Sequence, residues 1–152
     1  MILPDGRLLI PDIRNCRLLF IRPGASGPPS ELGTTESCHH QPPTYFGSPN
    51  GVFPMRDGHF LVTEINGDWV DAMTLDGSIA WSTNPPGVAY PSDTNEISAD
   101  RYLTVDYSTP GQIVVFSRQR RCCLEVSPDR GRSTQPALTR APAAQRRHLL
   151  YR

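Results

Sequence analysis

Asn50 and Asp93 are the residues of this sequence best placed to hold a hard cation. They lie in two matching tetrapeptides, Ser48-Pro49-Asn50-Gly51 and Tyr90-Pro91-Ser92-Asp93, whose prolines are 42 residues apart. An amide oxygen and a carboxylate together suit calcium, provided a fold brings them together; otherwise they simply cap the turns that lead into strands. A second group is Cys16, Cys38, His39 and His40, because thiolate and imidazole are zinc's preferred ligands. Its spacing contains neither Cys-x-x-Cys nor His-x-x-x-His, and adjacent histidines do not readily reach one ion. Cys16 and Cys38 read as zinc ligands, as two separate thiols, or as a disulfide that pins the loop between them and implies an exported parent protein. Cys122-Cys123 receives no role. Asp12, Glu64 and Asp106 each follow an apolar run and read as hydrogen-bond acceptors that lock repeated units rather than as ligands. No nucleophile elbow, phosphate loop or dinucleotide motif is present.

The elements that must position these residues emerge from self-comparison. Gly6-Arg7-Leu8-Leu9-Ile10-Pro11-Asp12, Gly58-His59-Phe60-Leu61-Val62-Thr63-Glu64 and Asp100-Arg101-Tyr102-Leu103-Thr104-Val105-Asp106 share one pattern, and their terminal acids are 52 and 42 residues apart. The extra ten residues fall in a Pro/Gly/Ser-rich stretch at 22–45, which reads as a loop insertion. In the best unit, extended segments at about 51–55, 59–65, 68–74 and 78–82 are divided by Arg56-Asp57-Gly58, Asn66-Gly67 and Asp76-Gly77. Asn-Gly and Asp-Gly are strong hairpin signals because both residues tolerate positive φ. Four short antiparallel strands every 40 to 45 residues predict a β-propeller blade, which buries its faces only against neighbouring blades. The fold class is therefore all-β: an incomplete propeller over 1–117, with blades at about 1–46, 47–89 and 90–117, or two and a half four-stranded blades in total. Trp69 and Trp81 read as core or blade-interface residues.

Composition adds limits. The 152 residues include 12 Gly and 16 Pro, a turn-rich chain, and no apolar run approaches the roughly 20 residues of a membrane helix. Residues 1–117 carry a net charge of −7 and residues 118–152 a net charge of +7, so the formal zero joins two unlike sequences. The 118–152 stretch, rich in Arg, Pro and Ala, reads as a disordered tail or an out-of-frame translation rather than a nucleic-acid arm. Met1 precedes no signal-peptide pattern, so the chain as written reads as cytoplasmic. Its opening turn and strand nevertheless read as a start inside a repeat, with the true beginning upstream.

Two segments carry a family likeness. Tyr90 to Phe116 resembles an NHL-type propeller repeat, and Leu75-Asp76-Gly77-Ser78-Ile79-Ala80-Trp81 resembles the outer strand of PQQ-like and arylsulfotransferase-type repeats. The resemblance covers 1–117 and implies a bacterial, often exported, repeat protein; it specifies fold far better than activity. It implies no quinone, since paired tryptophan docking motifs are absent. Ser48-Pro49-Asn50-Gly51 is also similar to a segment of gluconolactonase-like propellers, which implies Asn50 and Asp93 as ligands of a divalent cation, calcium or zinc, in the complete propeller. The leading expectation is a scaffold that binds a protein or small molecule and needs the remaining blades for closure. The alternatives are a metal-dependent hydrolase of the lactonase type and a sulfuryl-transfer enzyme, which would need a channel histidine such as His59.

Overall fold

A computed structural model describes residues 1–119 and 122–126. Alternating apolar residues between glycine-bearing turns produce eleven strands among the described residues. They are β1 (Leu8–Asp12), β2 (Arg17–Ile21), β3 (Ser30–Leu32), β4 (Pro49–Pro54), β5 (Phe60–Glu64), β6 (Trp69–Met73), β7 (Ile79–Thr83), β8 (Pro91–Ser98), β9 (Arg101–Asp106), β10 (Gln112–Phe116) and β11 (Cys122–Val126). One 3-10 turn, Ile13–Asn15, joins β1 to β2. The strands form three antiparallel meanders ordered β1-β2-β3, β4-β5-β6-β7 and β8-β9-β10-β11. The Asp76-Gly77 turn depends on its glycine: Gly77 has φ +92, and a Cβ there would also lie 3.1 Å from Pro43.

The three repeated segments occupy equivalent places. Leu8 pairs with Ile21, Phe60 with Met73 and Tyr102 with Phe116, always between the second and third strands of a unit. In the first sheet the inner position is touched only by Ile2, which bridges to Leu8 as Pro54 does to Phe60 and Glu96 to Tyr102. The Met1 amine and carbonyl both bond to Leu9, holding this segment against β1.

Two strands correct the sequence reading. β3 lies inside the stretch taken as a 22–45 insertion; it is only three residues long and half-charged, so no hydrophobic alternation marks it. β11 lies beyond residue 117, where the third blade was expected to stop, and it pairs Val126 with Ile113. Its Cys-Cys-Leu-Glu-Val sequence is compatible with a strand, but the arginines before it obscured the signal. The expected disorder of the remaining tail lies outside the described residues.

Packing follows from the stack. Leu9, Leu18 and Phe20 of the first sheet meet Val52, Phe60, Val62 and Met73 of the second. On its other face the second sheet packs Leu61, Val70 and Ala72 against Tyr102, Val114 and Phe116 of the third. Every residue of β5 is buried, whereas β2 and β9 alternate. Among the described residues, no helix is long and apolar enough to cross a membrane.

Candidate functional site

Two of the acids that close a second strand, Glu64 and Asp106, share a task. Glu64 accepts the Gly47 N–H, and Asp106 accepts N–H groups from Ala89 and Tyr90 at 3.3 and 3.0 Å. Gly47 and Ala89 both stand two residues before the proline of an inner strand, so each acid ties a blade's second strand to the approach of its first. Asp12 is bound differently, by Asn15 and Arg17. Burial works against the Asp106 anion, but bonds from Gln112, Ser108 and Ala89 outweigh it and hold the carboxyl below its ordinary value. A depressed folded-state pKa gives stability that is present above the unfolded value and lost as pH falls through the folded one. Asp106→Asn is therefore expected to cost about 1–3 kcal/mol at neutral pH. In urea titrations, acidification below the carboxylate range should destabilise the wild type more than this variant; parallel pH curves would exclude the role.

Glu64 has further company. Asp71 follows on β6, diagonal to it on the face toward the first sheet, since Glu64 pairs with Trp69 and Val62 with Asp71. Both side chains have no solvent exposure. The loop between β3 and β4 lays His40 over them, with Nδ1 3.2 Å from Glu64 Oε2 and 3.7 Å from Asp71 Oδ2. The imidazole stacks on the Trp69 indole, with centroids 4.0 Å apart and planes 7° from parallel. Ser82 donates its hydroxyl to Asp71 Oδ1. Glu64 Oε1 and Asp71 Oδ2 are buried without a hydrogen-bond partner. Burial lifts Glu64 to about 7, against the pull of the adjacent Asp71 side chain and of the Gly47 N–H. Burial, joined by the neighbouring Glu64, lifts Asp71 to about 8. Burial lowers His40, partly offset by Asp71, which favours the neutral ring.

The loop is itself held. Cys16 and Cys38 form a disulfide with Cα atoms 5.2 Å apart, so the two thiols are not available to the zinc set considered from sequence. Asn66 donates to the Cys38 carbonyl and the Ser48 hydroxyl, both at 3.0 Å. The adjacent histidines part company: His39 turns outward to Ser37 and Gln41, while His40 turns inward.

The inner-strand pair is arranged otherwise. Asn50 donates to the Ser92 hydroxyl at 3.3 Å, and Asp93 Oδ1 lies 2.8 Å from where a Cβ on Gly51 would stand. Neighbouring blades thus bring the two tetrapeptides side by side. The described His, Cys, Asp and Glu residues that converge as a possible metal set are His40, Glu64 and Asp71, and Asp93 is not among them. His59 rests at a turn, 3.0 Å from Asp57. Trp81 tilts against Tyr102 at 4.9 Å in the second core.

Sequence reasoning singled out Glu64 and His40 separately and missed Asp71. A signal existed: aligned by register, Asp71 stands where β2 has Leu19 and β10 has Val114. A carboxylate at that position fills no packing need.

No known family description and no curated protein matches the sequence. Solved structures do. Virginiamycin B lyase from Staphylococcus aureus, in a catalytically inactive form with quinupristin, is 16% identical with a TM-score of 0.59, over 83% of this chain and 38% of that one. A streptogramin B lyase is 17% identical with a TM-score of 0.57, over 80% and 37%. A protein of unknown function from Bacteroides caccae is 17% identical with a TM-score of 0.52, over 84% and 44%. The chain spans less than half the length of each. With its three meanders in one register, this likeness makes the fold that of a partial β-propeller.

Proposed function

We propose that the chain is a three-blade segment of a β-propeller that serves as a binding scaffold and works only with further blades. One observation carries this reading: the middle sheet is buried on both faces, while the flanking sheets leave apolar outer faces uncovered. Leu8, Ile10, Leu19 and Ile21 line one such face, and Leu103, Val105 and Ile113 the other, all at least partly exposed. A sheet built to face water alternates apolar-in with polar-out, and these two do not. Further blades of the same kind are the natural cover, because a propeller closes its ring with four to eight. The binding role draws support from an apolar cleft of about 330 Å³ between the first two sheets, lined by Met1, Ile2, Pro54, Met55, Phe60 and Leu75. The likeness to lyases supports the scaffold; at such identity it carries no reaction to this chain.

Light scattering after size exclusion tests the proposal. The 152-residue chain alone is expected to self-associate or aggregate through its open faces, and Ile10→Glu with Ile113→Glu is expected to reduce that association. A monodisperse wild-type monomer with one cooperative melt would overturn it.

A further inference from the structure

We propose that His40 Nδ1, a Glu64 carboxylate oxygen and Asp71 Oδ2 form a binding site for one first-row divalent cation of the zinc class, between the first and second sheets. This is independent of what the assembled propeller binds and lies away from the inner-strand pair Asn50 and Asp93.

The donor chemistry is the first ground. One imidazole and two carboxylates suit zinc and its neighbours, whereas calcium prefers oxygen ligands alone. Three protein ligands leave a fourth tetrahedral position for water or a ligand oxygen, the arrangement of open rather than closed zinc sites. The charges also balance once the ion displaces the carboxyl protons, since two carboxylates and one divalent ion sum to zero with a neutral ring.

Spacing is the second. The donor atoms all lie within 4.8 Å of one another. Bonds of about 2.0–2.1 Å at tetrahedral angles put ligand atoms roughly 3.3–3.4 Å apart. His40 Nδ1 lies 3.7 Å from Asp71 Oδ2, near that value, and 3.2 Å from Oε2 of the Glu64 carboxylate whose other oxygen, Oε1, is the free one.

Unmet polar valence is the third, and it points to a ligand independently of the cluster. Glu64 Oε1 and Asp71 Oδ2 are buried without a partner. A buried acceptor left unsatisfied costs about 1–3 kcal/mol, more when charged. The remaining oxygens are anchored, Glu64 Oε2 by the Gly47 N–H and Asp71 Oδ1 by the Ser82 hydroxyl. Such outer contacts orient metal ligands. Trp69 fixes the plane of the imidazole, and the disulfide tethers the loop two residues before it.

The test is zinc uptake by the chelator-stripped 152-residue chain, measured by equilibrium dialysis, with cobalt(II) absorption as the signature of a tetrahedral site. The expected result is one ion per chain, lost in Asp71→Asn and in His40→Gln and retained in His39→Gln. Ser82→Ala, which removes only an orienting contact, should weaken uptake about 10- to 100-fold. Asp71→Asn keeps the side-chain shape and replaces the carboxylate oxygen that would bind the ion, and His40→Gln removes the imidazole donor from the loop. Circular dichroism confirms that each variant is folded, and if one is not, the other decides. A folded wild type that takes up no ion would overturn the proposal and leave Glu64 and Asp71 as a proton-sharing pair. Uptake unchanged in both variants would overturn it equally, by placing the ion elsewhere.

Discussion

Replacing Phe46 with alanine is expected to lower the unfolding free energy by about 3–5 kcal/mol. Phe46 lies outside every strand, three residues before β4, yet it is fully buried in the core shared by the first two sheets. Its ring is so close to Gly33 that a Cβ there would stand 2.8 Å away. The two ends of the loop between β3 and β4 therefore close over one aromatic plug. Removing it leaves a cavity that rigid strand pairs cannot collapse, which is why the full aromatic-to-alanine cost applies. Urea unfolding followed by circular dichroism measures the effect. A loss below about 1 kcal/mol would mean that the loop is not part of the core.

Opening the Cys16–Cys38 bridge, by reduction or by replacing both cysteines with serine, is expected to cost about 3 kcal/mol through the freedom restored to the unfolded chain. The bridge joins residues 22 apart in sequence and ties the start of β2 to the loop. For a chain of this size the loss corresponds to a fall in melting temperature of about 6–12 °C. Calorimetry with and without reductant would measure it, and coincident melts would mean that the loop is held by Phe46 and Asn66 alone.

Both effects concern a loop that the sequence marks only as an interruption. The regular part of the fold was legible because its signals are local: Asn66-Gly67 and Asp76-Gly77 set hairpins, and the acids at 12, 64 and 106 mark one register position. β3 and β11 were not, since an outer propeller strand needs backbone pairing more than apolar alternation, and Ser30-Glu31-Leu32 offers almost none. The candidate metal set was half legible. Glu64 and His40 are 24 residues apart, and only the path of a cross-linked loop brings them together. Asp71 was open to detection by aligning the third strands of the units, where it replaces an aliphatic residue. The inner-strand tetrapeptides do come alongside one another, as their shared spacing requires, with Asn50 bound to Ser92.

The parallel stack of His40 on Trp69 makes the protein its own optical gauge. Only two tryptophans are present in the chain; one contacts the imidazole and the other lies in the opposite core against Tyr102. Because a stacked imidazole dims indole fluorescence when it gains charge, events beneath the loop would register in the emission of Trp69 while that of Trp81 serves as an internal standard.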